Sequence, residues 1–160
     1  MLVVSDTSPI CYLVLIDQID LLPRLYDRVV IPQSVYEELG VAGSPAAVRN
    51  WIANPPNWVE VEAIVVPADA ILAMLDRGER EAIALAEQLQ ADVILLDEKQ
   101  ARGVAVERGL SVVGLLGILG LAAEQGWINF AEVIDRLQTT NFRASLSLIQ
   151  SLLTRYQTDK

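Results

Sequence analysis

The chain has 160 residues, enough for one domain with a substantial core, and its hydrophobic fraction of 52% argues for a packed globule. It contains no histidine, which excludes Ser-His-Asp and Cys-His catalysis and the usual zinc sites. The net charge of −9 counts against a general nucleic-acid binder and leaves room only for a local basic rim.

Leu2–Ser5 is a short apolar run and reads as a buried strand. Asp6-Thr-Ser-Pro9 follows, with Ser8 placed to cap a helix that carries Ile10, Leu13, Val14 and Asp17. Cys11, the single cysteine, reads as a small buried hydrophobe on that helix. A short helix is predicted over Leu21–Tyr26, a strand over Arg28–Ile31, and a helix from Pro32 to Gly40. Ser44-Pro45 opens another helix to Asn54, which Pro55-Pro56 stops, and Trp58–Val61 reads as an edge strand. A helix is predicted from Pro67 to Leu75, with Gly78 separating it from a strongly helical stretch over Glu79–Gln90. Val93–Leu96 is the clearest buried strand, followed by a helix over Asp97–Arg108, a strand over Leu110–Val113 and a helix over Gly114–Gln125. Asn129 caps one more helix, and Ala144–Tyr156 forms a last amphipathic one.

Strands alternating with helices predict an α/β fold with a mainly parallel sheet. The segment 1–128 is expected to form the main body and 129–160 a helical C-terminal extension of the same domain. No run approaches the ~18 apolar residues that cross a bilayer, and Asp6 breaks the first apolar stretch. The sequence therefore reads as soluble and cytoplasmic, with no membrane association.

Without histidine, acid–base or metal chemistry rests on carboxylates, whose oxygens suit Mg²⁺ or Mn²⁺. Asp6 and Asp97 each directly follow a predicted strand, at the sheet edge where open α/β folds bind ligands. Asp97 has a second reading as a helix N-cap, since Gln100 completes a capping-box pattern. Glu79 shares a helical face with Ala82, Ile83 and Ala86 at about 100° per residue, although it is also a favourable acid for a first helical turn. Glu38 flanks the inward face marked by Val35 and Leu39, while Glu37 points away. Carboxylates gathered this way repel one another unless a cation sits among them.

Taken together, Asp6-Thr-Ser-Pro-Ile10, Val30–Leu39, Gly78–Ala86, Val93–Arg102 and Gly109–Leu119 resemble the PIN domain, and within it the prokaryotic toxin-type (VapC-like) nucleases of toxin–antitoxin pairs. The resemblance covers nearly the whole chain and rests on the order and spacing of these segments. It implies a three-layer α/β/α fold and a Mg²⁺- or Mn²⁺-dependent endoribonuclease acting on single-stranded RNA. It carries the four family acids onto Asp6, Glu38, Glu79 and Asp97, with Asp6, Asp97 and Glu79 as metal ligands. Ser8 falls on a metal-proximal hydroxyl position. Relatives often have Asp in the third place, and Glu81 stands near enough to substitute for Glu79. A small antitoxin partner and a homodimer are implied as well.

Arg77, Arg80, Lys99 and Arg102 lie beside these acids in sequence and are expected to form a substrate rim. Arg102 is placed to hold a phosphate, or alternatively to pair with Glu98 and Asp97 along its own helix. A non-catalytic PIN-like interaction or regulatory module is the alternative function. A haloacid-dehalogenase-type phosphatase fits poorly, because Thr7 and Ser8 follow Asp6 where a second Asp is needed, and no receiver-type acid set is present.

Overall fold

In the computed structural model, which describes residues 1–156, five short strands run in one direction. They are β1 (Leu2–Ser5), β2 (Arg28–Pro32), β3 (Val59–Glu62), β4 (Val93–Leu95) and β5 (Val112–Val113). The sheet order is β3-β2-β1-β4-β5, and every neighbouring pair is parallel. The sheet is thus wholly rather than mainly parallel. Each crossover carries helices, so both faces are covered and the central strands must be apolar on both sides.

The pleat divides the core in two. Val3, Val29, Ile31 and Leu95 face one layer, made by α1 (Thr7–Leu15), α2 (Leu21–Leu25), α3 (Gln33–Gly40), α4 (Ala46–Ala53) and α7 (Leu115–Glu124). Val4, Val30, Ile94 and Leu96 face the other, made by α5 (Arg77–Leu89) and α6 (Lys99–Glu107). Alternation with period two sends consecutive side chains to opposite faces, producing three layers, α/β/α. Helices α8 (Phe130–Gln138) and α9 (Leu146–Arg155) bury Phe130, Val133, Ile134, Leu137 and Ile149 in the first layer. The last four residues of the expected 129–160 extension lie outside the described residues. No helix among the described residues is long and apolar enough to cross a membrane.

Several predicted boundaries move. The helix predicted over Pro67–Leu75 is only a 3₁₀ turn, Leu72–Met74. Asp69 accounts for this: its Oδ1 accepts from the backbone N–H groups of Ile71 and Leu72, and its Oδ2 binds Arg108, which ties the segment into a turn. Gly78 lies inside the first turn of α5 rather than before the helix. Ser8 is not a cap, since α1 begins at Thr7 and Asp6 occupies the cap position with extended backbone, φ −80° and ψ 178°. β5 is two residues long, shorter than the predicted Leu110–Val113.

The sheet order fixes where a site can form. From β1 the chain winds outward to β2 and β3, then returns to place β4 on the other side of β1. A crevice opens at such a reversal, at the carboxyl ends of the two strands. Ser5 is in register with Leu95, and the Asp6 N–H donates to the Leu95 carbonyl at 3.0 Å. Asp6 and Asp97 therefore leave the sheet side by side.

Candidate metal and nuclease site

Asp6 ends β1 in a sequence too apolar to leave much water around it, and the residue is only 7% exposed. Burial pushes its carboxyl up from 3.8 to about 7, helped by the negative charges of Asp76, Glu79 and Glu38; a backbone hydrogen bond from Thr7 opposes the shift.

Glu38, on α3, is exposed as a residue but turns its carboxylate inward. The Thr7 hydroxyl donates to its Oε2 at 3.1 Å, so the residue after Asp6 orients the second acid. Its Oε1 and the Asp6 Oδ1 close on the same point: a Cβ built on Gly78 would stand 2.7 Å from the first and 3.0 Å from the second. A side chain there, in the first turn of α5, would have to push the Glu38 carboxylate aside. The two carboxylates thus face the positive end of a 13-residue helix, whose macrodipole favours anions. The Glu38 carboxyl is also raised above its ordinary value, first by desolvation.

Glu79 is buried and lies on the same turn of α5. Its side chain has a structural duty as well: with Asp76 it forms a capping box. Asp76 Oδ1 accepts from the Glu79 N–H at 2.9 Å, and Glu79 Oε1 accepts from the Asp76 N–H at 3.3 Å. Burial and then the Asp76 charge push the Glu79 carboxyl up. Glu81 is committed elsewhere, accepting from the Ser34 N–H at 3.3 Å and from Arg77 Nε at 3.1 Å. Of the two, Glu79 is the one whose charge acts on Asp6.

Asp97 does not cap α6. Glu98 does, accepting from the Ala101 N–H at 2.8 Å, so the helix starts two residues past Asp97. Asp97 instead receives the Leu115 N–H on Oδ1 at 2.8 Å, while its Oδ2 is buried with no hydrogen-bond partner among the described residues. Desolvation raises its carboxyl, against the opposing effects of the Leu115 bond and the Arg102 charge. An orphaned buried carboxylate oxygen is costly and calls for a missing partner.

Other expected residues are less engaged. Ser8 makes no side-chain hydrogen bond to these acids among the described residues, and Lys99 is exposed on the outer turn of α6. Arg77 is held by Glu37 at 2.9 Å and by Glu81, and Arg80 donates to the Leu75 carbonyl at 2.7 Å. Arg102 forms neither expected ion pair. It donates to the Leu96 carbonyl at 2.9 Å, with its guanidinium and Asp97 Oδ1 both lying against Gly114. Among the described residues no Lys or Arg forms an ion pair with Asp6, Glu38, Glu79 or Asp97. Sequence reasoning overlooked Asp76, the largest acidic influence on Asp6, Glu38 and Glu79. The signal was present: Asp76-x-x-Glu79 before an apolar helical run is a capping-box pattern.

The donor set is all carboxylate oxygen, as hard divalent cations require, and it includes one orphaned oxygen and two acids closing on one glycine. It fits a divalent metal in chemistry. As the side chains stand, no three of them among the described residues converge on one ligand point.

No curated protein matches the chain. A solved structure, a PilT N-terminus domain protein SSO1118 from the hyperthermophilic archaeon Sulfolobus solfataricus P2, is similar at 16% identity, over 91% of this chain and 100% of that one, with a TM-score of 0.49. The sequence model of the DUF3368 family, described as a PIN domain, matches residues 2–158. With nearly its whole length matched, the chain belongs to the PIN domain family, whose members are generally metal-dependent nucleases.

Proposed function

We propose that this chain is a Mg²⁺- or Mn²⁺-dependent endoribonuclease of the toxin type, cleaving single-stranded RNA and held in check by a small antitoxin, with a homodimer as its working form. The observation that carries the reading is the convergence of Asp6 and Glu38 on Gly78 with neither in an ion pair among the described residues. Folding leaves such a group unpaired when its partner is a ligand.

Asp6, Asp97 and Glu79 would hold the ion, with Glu38 as the fourth acid beside Asp6. A bound divalent ion supplies a water of lowered pKa and stabilises charge on the phosphate oxygens. The protein's own groups set the stage. Thr7 fixes the Glu38 carboxylate, the capping box fixes Glu79, and the Leu115 N–H fixes one Asp97 oxygen while leaving the other available. The raised affinity of Asp6 for a proton marks a carboxylate that gains from a cation of higher charge.

The purified chain with Mg²⁺ or Mn²⁺ is expected to cleave single-stranded RNA, and Asp6→Asn to lower the rate by at least roughly 100-fold while keeping the fold. Equal activity of the two proteins would assign cleavage to a contaminant and overturn the reading. A non-catalytic regulatory module draws support from one observation, that no three acids converge as they stand. Calorimetric titration separates the two: absence of Mn²⁺ binding at millimolar concentration favours the module.

A further inference from the structure

One of the acids, Asp97, lines the end of a longer groove. Beside Asp97, between α7 and α9, lies an open hollow of about 640 Å³ lined by Arg102, Arg143, Arg155, Phe142 and Tyr156. A second hollow of about 550 Å³ continues beyond Arg155 and Tyr156 to Trp127. The two adjoin at Glu124, Arg155 and Tyr156, and the series of hollows leads away from Asp97.

Three arginines against Asp97 and Glu124 make this track locally basic on an acidic chain. The chain has 12 Lys and Arg against 21 Asp and Glu. Three arginines elsewhere are consumed by acids, Arg28 by Glu60, Arg77 by Glu37 and Glu81, and Arg108 by Asp69 and Glu87, while Arg24, Arg49, Arg80 and Arg136 are spread singly over other elements. None of Arg102, Arg143 and Arg155 is in an ion pair among the described residues. Apart from Asp97 at its origin, the only acid lining the track among the described residues is Glu124.

The walls are built, not incidental. Tyr156 packs on Phe130 with ring centroids 5.0 Å apart and lies so close over Gly120 that a Cβ there would meet its hydroxyl at 2.5 Å. Phe142 stacks edge-on against Tyr12 at 5.1 Å, and the Tyr12 hydroxyl donates to Asn141 at 2.7 Å, which anchors the loop carrying Arg143 to α1. Arginines interleaved with aromatic rings along an open groove are what a single strand needs: cations for successive phosphates and π faces for bases.

We propose that this groove carries the segment of a single-stranded nucleic acid that flanks the bond presented to the acids, with Arg102, Arg143 and Arg155 on its phosphates and Phe142 and Tyr156 against its bases. The proposal rests on the nuclease reading for its direction, from Asp97 outward. A local basic track also resolves how a chain of net charge −9 holds a polyanion: screening confines attraction and repulsion to about 8 Å at physiological salt, so nearby arginines outweigh remote acids.

The test is binding of a fluorescein-labelled single-stranded oligoribonucleotide of about 12 nucleotides to the full chain in EDTA, read by anisotropy across a salt series. Arg143→Ala and Arg155→Ala are each expected to weaken binding three- to tenfold, and each to reduce the slope of log K against log salt by about 0.7, one phosphate contact on a single strand. Arg155→Lys is expected to recover most of the slope. Arg49→Ala removes the same charge from an exposed position on α4 and is expected to change binding less than twofold. Circular dichroism melts establish that each variant is folded. Affinity and slope in the Arg143→Ala/Arg155→Ala double variant equal to those of Arg49→Ala would overturn the proposal, as would no binding by the wild type at about 100 μM. Either result would reassign the apolar side of the groove, around Leu121 and Leu148, to a protein partner. Cleavage is not read in this experiment, so a chain that binds through the groove yet hydrolyses nothing loses only the nuclease reading.

Discussion

Two acid-rich regions of this molecule are built in opposite ways. Around Arg108, Asp69 and Glu87 are half-buried, and one guanidinium serves both: its Nη1 meets Asp69 Oδ2 at 2.9 Å, and its Nη2 and Nε grip Glu87 at 2.8 and 3.0 Å. These paired acids hold Arg108 firmly protonated, and the backbone N–H of Leu72, followed by the Arg108 guanidinium, pulls the Asp69 carboxyl below its ordinary value. Around Gly78 the carboxyls of Asp6, Glu38 and Glu79 are all pushed up, first by burial and then by the charges of neighbouring acids, Asp76 foremost. Arg77 is close enough to act on Glu38 but spends its hydrogen bonds on Glu37 and Glu81. The same chain therefore neutralises one acid pair and leaves another group without an ion pair among the described residues. A group left bare at the reversal of a parallel sheet is arranged for something that arrives from outside.

The contrast predicts opposite responses to mutation, and Asp6 should give the largest. Its folded-state pKa of about 7 exceeds 3.8, so between those values the folded chain keeps a proton that the unfolded chain has released. Stability in EDTA is then expected to fall as pH rises through that window, by on the order of 4 kcal/mol. Asp6→Asn should flatten this dependence and melt higher than wild type at pH 8, and millimolar Mn²⁺ should restore the wild type alone. Urea titrations at pH 5 and pH 8 measure it. A wild type more stable at pH 8 in EDTA would contradict the account.

Arg108→Ala should act the other way. Its partners are only partly exposed, so losing a shared bidentate cation is expected to cost about 2 kcal/mol, or roughly 4–8 °C in Tm for a chain of this size. RNA cleavage at a temperature well below Tm should be unchanged, because this cluster serves stability. An activity loss without a Tm change would erase the distinction between the two regions.

Asp76 sharpens the comparison by the smallest margin. Asp76→Ala removes the cap of α5 and is expected to cost about 1 kcal/mol, whereas Asp76→Asn, still a good cap, should cost a few tenths. Because the cap also holds Glu79, the alanine variant should weaken Mn²⁺ binding more than the asparagine variant, as calorimetry would register. Equal effects of both would make the charge of Asp76, rather than its cap, the operative feature.

Local chemistry was enough to read most of the architecture. Apolar, β-branched runs at Leu2–Ser5, Arg28–Ile31 and Val93–Leu96 announced buried strands, and alternation with helical periods implied a parallel α/β sheet. The strand-end positions of Asp6 and Asp97 were legible for the same reason, since a strand's end is visible where its apolar run stops. The helix predicted over Pro67–Leu75 failed because Asp69 is drawn to Arg108, 39 residues away, a partner that periodicity cannot register. Asp97 was open between a cap and a free carboxylate until Glu98 was found to hold the cap and the Leu115 N–H, 18 residues on, to hold Asp97. Which of Glu79 and Glu81 faces Asp6 depended on Ser34 and Arg77 engaging Glu81. Of the basic groove only Arg102 was legible as a phosphate contact, because Arg143, between α8 and α9, and Arg155, on α9, lie far from it in sequence. The sequence by itself determined which residues are strands and which acids end them, as these follow from neighbours within a turn or a pleat. Tertiary structure alone decided which acids keep a partner and which are left waiting, because pairing is competition among side chains that only the fold brings within reach.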